Sequence, residues 1–261
     1  MLKKSKIAFV YEHKREVPWE DGLRAALDLL SLEFDITYFN LAHGRVEGEF
    51  DLVLGWGAFN SPADKVIRFD LVNARKKALC IAGNAFEPDD GYDLLFYETN
   101  WYAPKVKKYN AYKAFGTNTD IYKSLNLEKV FDYISVGTFS SWKRQVLINQ
   151  KEGNRLVIGE IQRENMGESM GIINSLLLNG VMVSDMVTPK ELAKFYNLSE
   201  TCYIPSTVMG GGERAVLEAR ACGCKVEIEN DNPKLKELLD CPIPDHHLYA
   251  KQLKEGICSV L

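Results

Sequence analysis

The sequence predicts an α/β protein made of two parallel-sheet domains. Three observations predict it. Short apolar runs alternate with segments of helical spacing, most regularly in the second half, which argues for parallel strands covered by helices. The 261 residues suit two domains of roughly 100–150 residues each. One stretch, residues 204–223, reads as a strand end, a run of three glycines, a helix and a glycine stop. Ligands of such sheets collect at the carboxyl ends of the strands.

Composition narrows the function classes. Apolar residues make up 46% and charged residues 26%, an ordinary globular balance. A formal net charge of −4 gives no bulk affinity for nucleic acid and leaves room for a local basic patch. No apolar run reaches membrane-spanning length. Met1 to Lys6 leads directly into a strand, so no signal peptide is expected and a cytoplasmic protein is. The six cysteines, at 80, 202, 222, 224, 241 and 258, form no CxxC pair, and there are four histidines. Reduced, mostly buried thiols are expected rather than a zinc site.

In the first half, residues 7–11 form a strand with a polar exit through Glu12 to Pro18. Residues 19–31 have helical spacing, with Leu23, Ala26, Leu27 and Leu30 on one face. Strands follow at 34–39 and 51–57, then a helix over 64–74 opened by Ser61 and Pro62. Further strands are expected at 78–82, 93–97 and 114–116, with a hinge near 123–130. The domains are accordingly 1–127 and 128–261. In the second, strands at 133–139, 155–159, 181–187, 202–204 and 225–228 alternate with helices at 142–150, 169–178, 189–198, 214–222 and 233–239. The tail from 246 is helical in pattern and is a candidate to cross back to the first domain.

The chemistry centres on Pro205-Ser206 leading through Gly210-Gly211-Gly212 to Glu213, Arg214 and Glu218, then Ala219 to Gly223. Bare amides at a helix start make an anion site, and a phosphate is its natural guest. The dinucleotide fingerprint is not met, because the third spaced glycine is missing. The stretch resembles the donor-binding motif of retaining GT-B glycosyltransferases of family 4, whose helix reads Glu-Ala-x-Ala-x-Gly. That resemblance implies two Rossmann-like domains facing a central cleft. It implies a nucleotide-sugar donor, a UDP- or GDP-sugar, and no required cofactor or metal. It places Glu218 on the ribose hydroxyls and the glycine amides on phosphate and sugar. The family carries a second glutamate eight residues earlier, where this chain has Gly210; Glu213 is acidic but out of register.

A second resemblance lies in Val136-Gly137-Thr138 followed by Lys143 and Arg144. Family members have Val-Gly-Arg and then a lysine, which grip the donor diphosphate. Lys143 matches the lysine, Thr138 replaces the arginine, and Arg144 is a candidate for the lost charge. Fixed cations are needed there because the leaving diphosphate gains negative charge as the glycosidic bond breaks. Asp185, at a strand exit, is a candidate for contact with the nucleotide or a plain turn residue. Asn84 and Glu87 follow the 78–82 strand; Glu87 is a candidate general base for an acceptor hydroxyl or a loop acid before Pro88. Trp101, Tyr102, Lys105, Lys107 and Lys108 interleave rings with lysines, a pattern suited to stacking on bases beside phosphates, or to a solvated loop with packed aromatics. The first half also bears a weak likeness to small phage-type enzymes that glycosylate hydroxymethylated DNA bases. The expectation is thus a hexosyl- or pentosyltransferase, with a 5-hydroxymethylpyrimidine in DNA as leading acceptor and a glycan or lipid-linked sugar as the alternative. A catalytically degenerate nucleotide-sugar-binding module is the non-enzyme alternative.

Overall fold

The structure is a computed structural model, and it describes residues 4–11, 21–57, 69–81 and 91–261. The chain divides into two compact units, Met1–Gly116 with Asp245–Leu261, and Thr117–Pro244. Residues 117–127, assigned to the first domain from sequence, thus belong to the second unit, and the tail belongs to the first.

The first unit holds β1 (Lys6–Tyr11), α1 (Gly22–Leu30), β2 (Asp35–Asn40), β3 (Glu49–Gly57), β4 (Asn73–Ile81), β5 (Leu94–Tyr97), α2 (Ala103–Val106) and β6 (Ala111–Lys113). Its six strands lie in the order β2-β1-β3-β4-β5-β6, and every pairing is parallel. Both sheet faces are covered, which is why Ile7 to Val10 of β1 are a continuous apolar run rather than alternating. Ile7 and Phe9 face α1, while Ala8 and Val10 face Leu41, Tyr102 and Val106. The Asp21 side chain caps α1 by accepting from the Arg24 amide at 3.0 Å.

Two expectations here need correction. The helix expected over 64–74 cannot reach residue 74, because Asn73 and Ala74 already pair with Glu49 and Phe50 in β4. Asp93 stabilises that early start, accepting from the Lys77 amide at 2.9 Å and from Lys76 Nζ at 2.8 Å. The last strand is Ala111–Lys113 rather than 114–116, since those residues hold the register with Leu95, Phe96 and Tyr97.

The second unit holds β7 (Phe131–Val136), β8 (Arg155–Ile158), α3 (Met166–Leu178), β9 (Met182–Ser184), α4 (Pro189–Asn197), β10 (Ser199–Ile204), α5 (Glu213–Ala221), β11 (Lys225–Ile228) and α6 (Pro233–Asp240). The parallel strands run in the order β11-β10-β7-β8-β9. The chain moves outward from β7 to β9 and then restarts at β10 on the other side of β7. That reversal opens a crevice at the carboxyl ends of β7 and β10. A capping box of Thr188 and Glu191, with Pro189 at the first turn, starts α4. The helix expected over 142–150 is two 3₁₀ turns, Ser141–Lys143 and Gln145–Gln150, separated by Arg144 at φ 49°. The tail forms α7 (His246–Cys258), which packs against α1, β5 and β6 within the first unit and buries Tyr249, Leu253 and Ile257 there.

Candidate functional site

The site is built where β7 and β10 end. From β10 the chain enters a loop, 205–212, that other elements hold at every step. Arg144 Nε donates to the Pro205 carbonyl at 2.6 Å. Asn232 Nδ2 donates to the Ser206 and Thr207 carbonyls, both at 3.0 Å, while Asn232 Oδ1 caps α6. The Thr207 amide donates to the Trp142 carbonyl at 2.9 Å, and the Gly210 amide closes a turn onto the Thr207 carbonyl at 2.8 Å. Gly210 lies so close to the turn after β7 that a Cβ there would stand 2.2 Å from the Trp142 carbonyl oxygen. Gly211 and Gly212 take φ of 69° and 116°, and Gly212 starts α5 with no side-chain cap. Gly212 thus leaves the start of α5 without an N-cap side chain, and a carboxylate oxygen of Glu213 lies beside the turn, 3.3 Å from where a Cβ on Gly211 would stand.

Lys143 reaches this turn from β7. A Cβ on Gly137 would lie 3.1 Å from Lys143 Cε and 3.4 Å from its Nζ. One on Gly211 would lie 3.6 Å from the same Nζ. The ammonium thus sits between the β7 exit and the glycine turn, across a floor of two glycines. Arg214, exposed in the first turn of α5, adds a second cation where the helix dipole favours an anion.

Charge beneath the turn is paired. The Glu213 carboxylate is buried and meets Lys234 Nζ, itself fully buried, at 2.5 Å. Glu218 is buried in α5 and accepts from the Tyr196 hydroxyl at 3.4 Å. Burial first, and then the Glu218 charge, push the Tyr196 hydroxyl far above its usual range. Burial and Glu218 likewise push the Cys222 thiol up to about 12.

No protein-family model matches the chain, and no curated protein matches it either. Solved structures do. AviGT4, a glycosyltransferase involved in avilamycin A biosynthesis, aligns at TM-score 0.66 and 13% identity over 98% of both chains. Sucrose-phosphate synthase from Thermosynechococcus elongatus aligns at 0.63 and 13% identity, over 98% of this chain and 90% of that one. HepE from Anabaena, in complex with UDP and glucose, aligns at 0.60 and 12%, over 97% and 90%. The chain has the GT-B fold.

Set in the GT-B fold, the expected site residues separate into groups. Lys143, Gly210, Gly211 and Gly212 come together at the β7–β10 crevice, with half-buried Thr138 one residue past Gly137. Arg144 does not present a spare charge to that crevice. Its terminal nitrogens bind Asp231 at 2.8 and 2.7 Å and its Nε is on Pro205, so it straps the loop. Glu213 is shared: its Oε1 meets Lys234 Nζ, and its Oε2 lies at the glycine turn, 3.3 Å from where a Cβ on Gly211 would stand. Asp185 is exposed after the edge strand β9, where its carboxylate accepts from the Met186 amide at 2.8 Å. Asn84 and Glu87 lie outside the described residues.

The basic–aromatic stretch needs correction. Tyr102 is buried in the core of the first unit, so it cannot stack on a base. Trp101 packs edge-on against Tyr102, and Lys105 Nζ covers its ring at 3.8 Å from the centroid. Lys107 and Lys108 are exposed. Among the described residues, no group of three His, Cys, Asp or Glu is placed to hold a metal ion, and no helix is long and apolar enough to cross a membrane.

Sequence reading missed Asn232 and Lys234. Both had signals: Asn232 precedes Pro233, the pattern of a helix cap, and Lys234 shares the apolar face of Leu238 four residues on. The Trp142 carbonyl had none, because backbone contacts between distant loops leave no trace in residue type.

Proposed function

We propose that the chain is a glycosyltransferase that moves a sugar from a nucleoside-diphosphate sugar to an acceptor hydroxyl. The observation that carries this is Lys143 Nζ held over Gly137 and Gly211, at the uncapped start of α5. In the proposed reaction the anomeric carbon–oxygen bond of the donor breaks and the diphosphate leaves with its electron pair. The acceptor oxygen bonds to the anomeric carbon, and its proton passes to a base. Lys143, Arg214 and the amides of Gly211 to Arg214 take up the charge gathering on the diphosphate. The GT-B neighbours support the donor class, since HepE is in complex with UDP and glucose or with UDP-glucose. Glu218 is the ribose-binding carboxylate in this reading, and Glu87 with Asn84 are the groups offered for the acceptor. Retention of anomeric configuration belongs to the same reading, by resemblance.

A second reading, binding without turnover, is favoured by one observation. Position 210, where the family's sugar-contacting glutamate stands, is closed to any side chain by the Trp142 carbonyl. One experiment separates the two. Labelled UDP- and GDP-sugars are titrated against the chain and then incubated with acceptor panels: glycans, lipid-linked sugars, and duplex DNA with or without 5-hydroxymethylpyrimidines. Saturable binding with label transferred to any acceptor supports the enzyme. Binding with neither transfer nor donor hydrolysis supports the module. No binding of any nucleotide-sugar refutes both.

A further inference from the structure

Helix α3 of the second unit differs from the other surface helices of that unit. The α4 helix exposes Lys190, Glu191 and Lys194, and α6 exposes Lys236 and Asp240. In contrast, the thirteen residues of α3 include one charged side chain, Glu168. That carboxylate is engaged, accepting from the Ser141 amide at 3.0 Å. The inner side of α3 is ordinary: Leu176 is fully buried, Ile172 and Ile173 pack on the core, and the Ser169 hydroxyl donates to the Phe139 carbonyl at 2.8 Å. The outer side is apolar. Met166, Met170, Leu177 and Leu178 are 54%, 40%, 54% and 87% exposed. Between them lie Gly167 and Gly171, where an added Cβ would meet nothing within 4 Å.

We propose that this face of α3 is the interface of a two-fold dimer of this chain. Area favours it. At about 200 Å² for a fully exposed Met or Leu, the four residues leave roughly 470 Å² open on one helix face, the size of a whole monomer's largest apolar patch. Two copies face to face would cover about 900 Å² from these residues alone, and the glycines and Asn174 bring the contact to roughly the 1,000 Å² at which specific interfaces begin. Self-complementarity favours it too. A two-fold contact places the same patch on both sides, so a helix whose single carboxylate, Glu168, is held by the Ser141 amide meets itself across an uncharged stripe of Met, Leu and Gly. Antiparallel pairing about Ile172 sets Leu177 of one copy over Gly167 of the other, large against small. A lipid surface is the weaker occupant, because the face has no Lys or Arg to draw anionic headgroups.

The proposal is independent of the donor site and is tested by sedimentation equilibrium of the full chain between about 1 and 100 µM. The wild-type chain is expected to pass from one chain mass toward two across this range. The double variant Met170→Lys, Leu177→Lys is expected to dissociate at least about tenfold more readily, since each dimer would bury four unpaired ammonium groups. Its thermal midpoint at low concentration should stay unchanged, because both positions face solvent in the single chain. Leu32→Lys, at an exposed leucine of the first unit, should dimerise as the wild type does. A wild-type chain that stays monomeric throughout overturns the proposal. So does a dimer whose affinity the double variant leaves intact, and so does a monomer that instead co-sediments with phosphatidylcholine vesicles.

Discussion

Gly210→Ala tests whether packing imposes glycine at position 210. The added Cβ would stand 2.2 Å from the Trp142 carbonyl oxygen and 2.8 Å from its carbon, and both are backbone atoms. An ordinary carbon–oxygen contact is about 3.3 Å, so one chain segment must retreat by roughly 1 Å, a packing strain of about 1–3 kcal/mol. Retreat also loosens the Thr207–Trp142 hydrogen bond, worth about 1 kcal/mol. The expected loss is about 2–4 kcal/mol, which for a unit of this size lowers its melting temperature by roughly 6–15 °C. Urea denaturation with scanning calorimetry reads both quantities. Gly171→Ala is the control: it sits inside α3 in open space and should gain about 0.5–1 kcal/mol, measured at low protein concentration. If Gly210→Ala lies within about 0.5 kcal/mol of wild type, the loop yields easily. Packing would then not impose glycine at 210, and Gly210→Glu would be sterically admissible.

Three further expectations follow from the same geometry. Lys234→Met leaves Glu213 buried and unpaired, so it should cost about 3–5 kcal/mol, while Lys234→Met with Glu213→Gln should recover most of the loss in chemical denaturation. Asp231, hydrogen-bonded by Arg144, has its carboxyl held below the usual range, so the pair stabilises the fold at neutral pH and its contribution fades as pH falls below about 4 through the folded-state value. Because Asp231 is solvent-exposed, Asp231→Asn should cost at most about 0.5 kcal/mol at pH 7 and nothing near pH 2, as pH-dependent unfolding would show. In thiol titration at pH 8, the exposed Cys258 should react fast and the buried Cys80, Cys202, Cys222 and Cys224 only after denaturation, with Cys222 and Cys224 raised by burial to about 12 and about 11.

Periodicity and glycine punctuation made most of the second unit legible, because strand and helix there alternate with clear caps. The β11 span and the start of α6 were read to the residue. In the first unit the pattern misled at 64–74, where Asn73 to Lys77 are too polar to look like a strand. They form one because Asp93 and the β3 register hold them, a tertiary effect that no local propensity reports. The gathering of Lys143 with Gly210 to Gly212 at the β7–β10 crevice was legible from their motif. The roles of Arg144 and Glu213 were not, since charge type alone cannot tell a ligand contact from a strap or a buried pair. Tyr102 shows the same limit: a ring among lysines reads as a surface feature until its burial is seen.

Calorimetric titration of UDP- and GDP-sugars into the wild-type chain and into Lys143→Ala tests the proposed donor site on its own. Saturable binding of at least one donor is expected. In the variant the affinity should fall about ten- to a hundredfold, the worth of one charge-assisted contact, with the fold unaltered. Absence of binding by every nucleoside-diphosphate sugar, or binding that Lys143→Ala leaves unchanged, would contradict the proposed site.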